Sequence, residues 1–243
     1  MVGPGRLELP TSRLSGVCSN QLSYRPLKRS AQTPALRKDL ALECAILFIG
    51  LPALTLLLDG RMLVFGLLWA ASFLGLYWMW RHDRTELFIR PSGVQLKTML
   101  AQFAILGVLL VGIGWLLVPE RFFSLPLERP GLFTMICLFY PLLSALPQEI
   151  LYRAFFFAHY KSLFPDERVR IALSAIGFSL AHLVFANFVA LSLALLGGAL
   201  FAWRYNQTKS LPLAVLEHSL YGLLIFAIGL GWYFFLGAGH HFG

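Results

Sequence analysis

Long apolar runs, broken by short polar clusters, dominate the chain from about residue 36 onward. Crossing a bilayer as a helix takes roughly 17–25 predominantly apolar residues. On that measure the pattern predicts about seven spans: Leu40–Leu58, Met62–Trp80, Met99–Val118, Gly131–Leu146, Ile171–Phe188, Val189–Trp203 and Leu211–Leu236. The Gly131 run continues through Pro147 to about Phe164, too far for one straight crossing. A proline removes a backbone donor and crowds the carbonyl four residues earlier, so a break is expected there, with a second helix opening near Gln148. The two runs around Asn187 are near the minimum length and suit a tight helical hairpin. The first 35 residues lack this pattern. They are Ser-, Arg- and Pro-rich with no apolar h-region, and are expected to be disordered, a functionless extension from a start set upstream of the true gene.

Composition agrees with membrane residence. Hydrophobic residues make up 58% and charged residues 13% of the 243, with mean hydropathy +0.70. Ordinary soluble domains sit at roughly 45–50% and 25%. The fold class is therefore an all-α, polytopic transmembrane bundle, with residues 36–243 as one domain. The net charge of +8 does not point to nucleic acid, because the cations form short clusters between the runs. Arg37, Lys38, Arg81, Arg84, Arg90, Lys97, Lys161, Arg168, Arg170, Arg204 and Lys209 fall on one side, against Arg61, Arg121 and Arg129 on the other. That bias predicts a cytoplasmic N-terminus. Three scattered cysteines suggest neither a disulfide framework nor a CxxC metal site.

Few ionisable groups lie inside the runs, and each is costly. A charge at the centre of a bilayer costs about 2.5–3.5 kcal/mol or more, so such residues mark candidate sites. In Pro147-Gln148-Glu149-Ile150-Leu151-Tyr152-Arg153, Glu149 and Arg153 stand one helical turn apart on one face. In Phe178-Ser179-Leu180-Ala181-His182, Phe178 covers the face that carries His182. In Glu217-His218-Ser219-Leu220-Tyr221-Gly222, His218 and Gly222 share a face that a substrate or a neighbouring backbone could approach closely. Glu217 points about 100° away. It suits either a histidine of another helix or Arg153 as its partner.

Glu149, His182 and His218 are the catalytic candidates. A carboxylate and one histidine can hold and deprotonate a water, and a second histidine can stabilise the oxyanion. Gln148, Arg153, Phe178, Glu217 and Gly222 are the supporting candidates. No cofactor is required. The same Glu149, His182 and His218 could instead ligate zinc, a lesser expectation because no HExxH helix is present. Two non-enzymatic alternatives stand beside hydrolysis: an ion-pair network locking helices together, and a scaffold or immunity protein that sequesters a peptide or partner helix. A proton-coupled transporter is disfavoured, since the sequence holds no clear inverted repeat.

The order Glu149-x-x-x-Arg153, Phe178-x-x-x-His182 and then a distal His218, with Ala154-Phe155-Phe156 after the arginine, resembles the CPBP family. These are the CAAX-protease and bacteriocin-processing (Abi) intramembrane endopeptidases. The resemblance covers roughly Met99–Leu236. It implies hydrolysis of a peptide bond in a membrane-associated protein or peptide by a glutamate-activated water, in a bacterial inner membrane. Two positions depart from the family pattern. Gln148 stands where the family has the first of two glutamates, and a glutamine can orient a water but cannot take its proton. Gly222 stands where the family has a polar residue, so an oxyanion donor is missing.

Overall fold

The computed structural model describes residues 34–57, 61–82 and 89–235. The expected N-terminal extension therefore lies almost wholly outside the described residues, as does Leu236. Six helices are long and apolar enough to cross a membrane, and a shorter apolar one follows. They are α1 (Pro34–Leu57), α2 (Arg61–His82), α3 (Gly93–Leu117), α4 (Pro130–His159), α5 (Glu167–Leu180, whose apolar span continues through a 3-10 turn to Phe185), α6 (Phe188–Thr208) and α7 (Leu211–Ala227). Local chemistry sets several ends. Ser92 and Gln95 form a reciprocal capping box that starts α3, ahead of Lys97, which thus lies inside the helix. Asp166, Asn187 and Ser210 accept hydrogen bonds from the first-turn amides of α5, α6 and α7.

The chain does not break at Pro147. It runs as one helix from Pro130 to His159, and π-helical turns at Pro141–Ala145 and Ile150–Phe155 flank the Leu146–Glu149 turn that holds Pro147. Wider turns are one way a helix absorbs a proline without ending, and they occur often at functional sites. The carbonyl of Leu143, four residues before Pro147, accepts from the Trp69 indole of α2 at 3.2 Å. The Ser72 hydroxyl lies 2.7 Å from the carbonyl of Pro147 itself. Two side chains of α2 thus serve backbone groups around the proline, as burial in an apolar medium demands.

Helices α5 and α6 form the expected tight hairpin around Asn187. The Asn187 side chain caps α6 and donates to the carbonyls of Phe185 and Tyr233 at 3.0 and 2.8 Å. The close fit depends on Gly198, where a Cβ would stand 3.1 Å from the Phe178 ring and 3.2 Å from Ala175 Cα. Helix α7 is shorter than the predicted final span, ending at Ala227 before a 3-10 turn at Leu230–Phe234. It is nonetheless buried along Leu213, Ala214, Glu217, His218, Ser219, Tyr221 and Gly222. By contrast, α3 exposes Leu100, Ile105, Val108, Leu109 and Leu116. An outward apolar face of this kind suits hydrocarbon rather than water.

Two cations assigned to loops from the sequence are buried. Arg170 is wedged under the carbonyls of Phe164 and Pro165, and Arg204 lies within α6 at 4% exposure.

Candidate active site

Glu149 sits on α4 between the two π turns and is fully buried. Its Oε1 accepts from His218 Nδ1 of α7 at 2.8 Å. Its Oε2 lies 3.2 Å from Arg153 Nε, an ion contact without the alignment of a hydrogen bond. Arg153 is held from two further sides. It donates to the Gly198 carbonyl at 3.3 Å, and its guanidinium lies 4.4 Å from the centre of the Phe178 ring. The predicted i,i+4 pair therefore forms, and it reaches α5, α6 and α7 at once.

Phe178 is the hub of the site. Its ring centre is 4.8 Å from that of His182 and 5.5 Å from that of His218. His218 also stacks on Phe201 at 4.9 Å. His182 does not lie within α5 but on the turn after it, one residue beyond the C-cap Ala181. There its Nδ1 is 2.7 Å from the Phe178 carbonyl, one of the carbonyls a helix end leaves without a partner. A carbonyl only accepts, so Nδ1 carries the ring proton and Nε2 presents a lone pair. Nε2 is thus the nitrogen of His182 that can accept from a water.

The supporting residues divide. Gln148 donates to Ser144 Oγ at 2.9 Å, while its buried Oε1 has no hydrogen-bond partner among the described residues. Glu217 pairs with neither Arg153 nor a histidine. Both its oxygens accept from Arg204, at 3.2–3.3 Å, and Arg204 also donates to Gln102 of α3. Gly222 packs against Tyr140, whose hydroxyl lies 3.1 Å from His218 Nε2. Sequence reasoning passed over Tyr140, and only its place in the run containing the motif could have flagged it. Another embedded acid, Glu43, belongs to a separate cluster with His159 Nε2 (3.0 Å) and the Tyr160 hydroxyl (2.9 Å). Burial and that carboxylate push the Tyr160 phenol well above its usual range.

Glu149, His182 and His218 do not assemble as a metal cradle. Glu149 is engaged by the His218 ring proton and by Arg153, and no group of three His, Cys, Asp or Glu among the described residues could hold an ion.

Residues 130–235 match the family model of Rce1-like type II CAAX prenyl endopeptidases. No curated protein and no solved structure matches the chain. The matched segment contains Tyr140, Gln148, Glu149, Arg153, Phe178, His182 and His218, so the helices that build the buried constellation lie within it. Within this multi-pass helical membrane protein, residues 130–235 are thus the segment that is similar to Rce1-like type II CAAX prenyl endopeptidases.

Proposed function

We propose that the protein is an intramembrane endopeptidase whose water is activated by Glu149 and His182. The observation that carries this reading is the buried Glu149–His218 bond at 2.8 Å, braced by Arg153, inside a segment that matches an endopeptidase family. Glu149 Oε2, in ion contact with Arg153 but not hydrogen-bonded, is the oxygen that takes the proton of the attacking water. The lone pair on His182 Nε2 holds that water. As the water oxygen adds to the peptide carbonyl carbon, its proton passes to Glu149, and the same proton goes to the leaving amine when the C–N bond breaks. His218 is assigned to orient Glu149 rather than to stabilise an oxyanion, because both its ring nitrogens are engaged. Gln148, with a carbonyl oxygen free to accept, orients water or the substrate amide.

The substrate class is a membrane-associated protein or peptide, presented from the lipid phase of a bacterial inner membrane with the N-terminus cytoplasmic. A prenylated CAAX peptide is the natural first probe, given the family's description. In proteoliposomes the wild-type chain should cleave it, and Glu149→Ala, His182→Ala and His218→Ala should each lower the rate by about 10²-fold or more. Cleavage at the normal rate by all three variants would sink the proposal. The peptide-binding scaffold draws on Gln148 and makes the opposite prediction, that Glu149→Gln keeps full biological function.

A further inference from the structure

Tyr140 lies on α4 just before the first π turn, with its ring edge-on to Phe226 at 5.5 Å and to His218 at 6.0 Å. Its hydroxyl is 3.1 Å from His218 Nε2. The far side of the imidazole decides which atom donates. Glu149 Oε1 is 2.8 Å from Nδ1, and a carboxylate beside Arg153 is an acceptor only. In the neutral imidazole, Nδ1 then carries the proton, Nε2 is the acceptor, and the Tyr140 hydroxyl is the donor.

Room for this hydroxyl comes from the residue one turn beyond His218. A Cβ at Gly222 would overlap the hydroxyl and the ring of Tyr140, so any larger side chain must displace one of the two helices or the phenol. The phenol fills the space that Gly222 leaves empty and delivers a polar group from another helix. The result is a continuous chain from Tyr140 through His218 to Glu149 and Arg153.

We infer that Tyr140 is a positioning residue of the hydrolytic site: its hydroxyl holds His218 in the tautomer whose Nδ1–H faces Glu149, through space opened by Gly222. The inference rests on the endopeptidase reading above. Without the hydroxyl the imidazole keeps its stacking on Phe201 but loses one of the two bonds that fix its rotation and tautomer. Glu149 is then oriented by Arg153 and a less constrained ring.

The test uses the full chain in proteoliposomes with the prenylated CAAX peptide, together with ¹⁵N-histidine-labelled protein in detergent. Tyr140→Phe keeps the ring and removes only the hydroxyl. It should lower kcat by about tenfold, the scale of one hydrogen bond, with KM changed by less than about twofold and thermal stability nearly intact. The Nε2 signal of His218 should move while that of His182 stays. Gly222→Ala, which displaces the hydroxyl without deleting it, should reproduce both effects. Wild-type kcat in Tyr140→Phe, or an unmoved His218 signal, would overturn the inference. If the wild type cleaves no membrane peptide while the His218 signal still responds to Tyr140→Phe, the endopeptidase reading falls and takes the catalytic half of the inference with it; the tautomer assignment is then supported.

Discussion

Two buried glutamate–arginine pairs lie within this bundle, and they are built in opposite ways. Glu217 and Arg204 join α7 to α6: Nε donates to both carboxylate oxygens, and Nη2 donates to Oε1 and also to Gln102. Both oxygens of Glu217 are hydrogen-bonded. Glu149 and Arg153 are equally buried, yet Glu149 Oε2, Arg153 Nε and Nη1 and the neighbouring Gln148 Oε1 have no hydrogen-bond partner among the described residues. Buried polar groups are normally satisfied, and although Arg170 Nε and the Tyr221 hydroxyl are also unpartnered, four such atoms on three neighbouring residues call for an explanation. A fully bonded pair is what a structural bolt between helices requires. A pair with acceptor capacity left over, sharing the Phe178 ring with a histidine that has a lone pair to offer, is what a hydrolytic site requires.

The sharpest way to break this comparison is to neutralise each acid in turn. Glu149→Gln should reduce cleavage by about 10²–10⁴-fold, the range that general acid–base catalysis supplies. Glu217→Gln should leave the rate per folded molecule within about twofold of wild type. It should instead cost about 3–5 kcal/mol of stability, because Arg204 is left buried without its counter-charge. The two readouts are peptide cleavage in proteoliposomes and thermal unfolding in detergent. Loss of activity in the Glu217 variant at full folding would erase the distinction.

Replacing both members of each pair comes next in size. A buried ion pair exchanged for apolar residues of similar volume is often neutral or stabilising, by up to about 4 kcal/mol. The double variant Arg204→Met/Glu217→Leu should therefore fold, recover the stability lost in Glu217→Gln and still cleave. Glu149→Leu/Arg153→Met should also fold, since the lost charges compensate, and should be inactive. Thermal midpoints and cleavage rates measured on both proteins decide it.

The sequence made one of these pairs legible and hid the other. Glu149 and Arg153 are four residues apart, so helical spacing alone puts them together. Glu217 and Arg204 are thirteen apart and joined across a turn. Arg204 stands near the end of an apolar run, where it reads as a loop cation. The turn is tight enough, with Lys209 in the left-handed region at φ 51° and Ser210 capping α7, to fold that last turn of α6 back onto Glu217. Tyr140 was hidden for a different reason. A tyrosine in an apolar run reads as core, and its partner His218 is 78 residues away. Pro147 signalled a break because local rules see only the missing donor. Trp69 and Ser72, on a different helix, serve the carbonyls around it and allow the helix to continue. Spans, embedded charges and face-sharing are local properties and could be read; partners set by packing could not.

Each pair also has a glutamine, and these give the finest version of the comparison. Gln102 uses its oxygen to accept from Arg204, a bond to a charged group. Gln102→Leu should cost about 1.5–3 kcal/mol of stability and leave the cleavage rate unchanged. Gln148 is turned the other way: its amide nitrogen is tethered to Ser144 Oγ at 2.9 Å and its oxygen is unbonded. Ser144→Ala removes only the tether. The stability cost should be about 1 kcal/mol, the value of one neutral hydrogen bond. The rate should fall severalfold, because an untethered amide spends less time aimed at the reacting group. A Ser144→Ala protein that loses stability but not rate would place Gln148 with Gln102, as a structural glutamine, and leave Glu149 and His182 to hold the water alone.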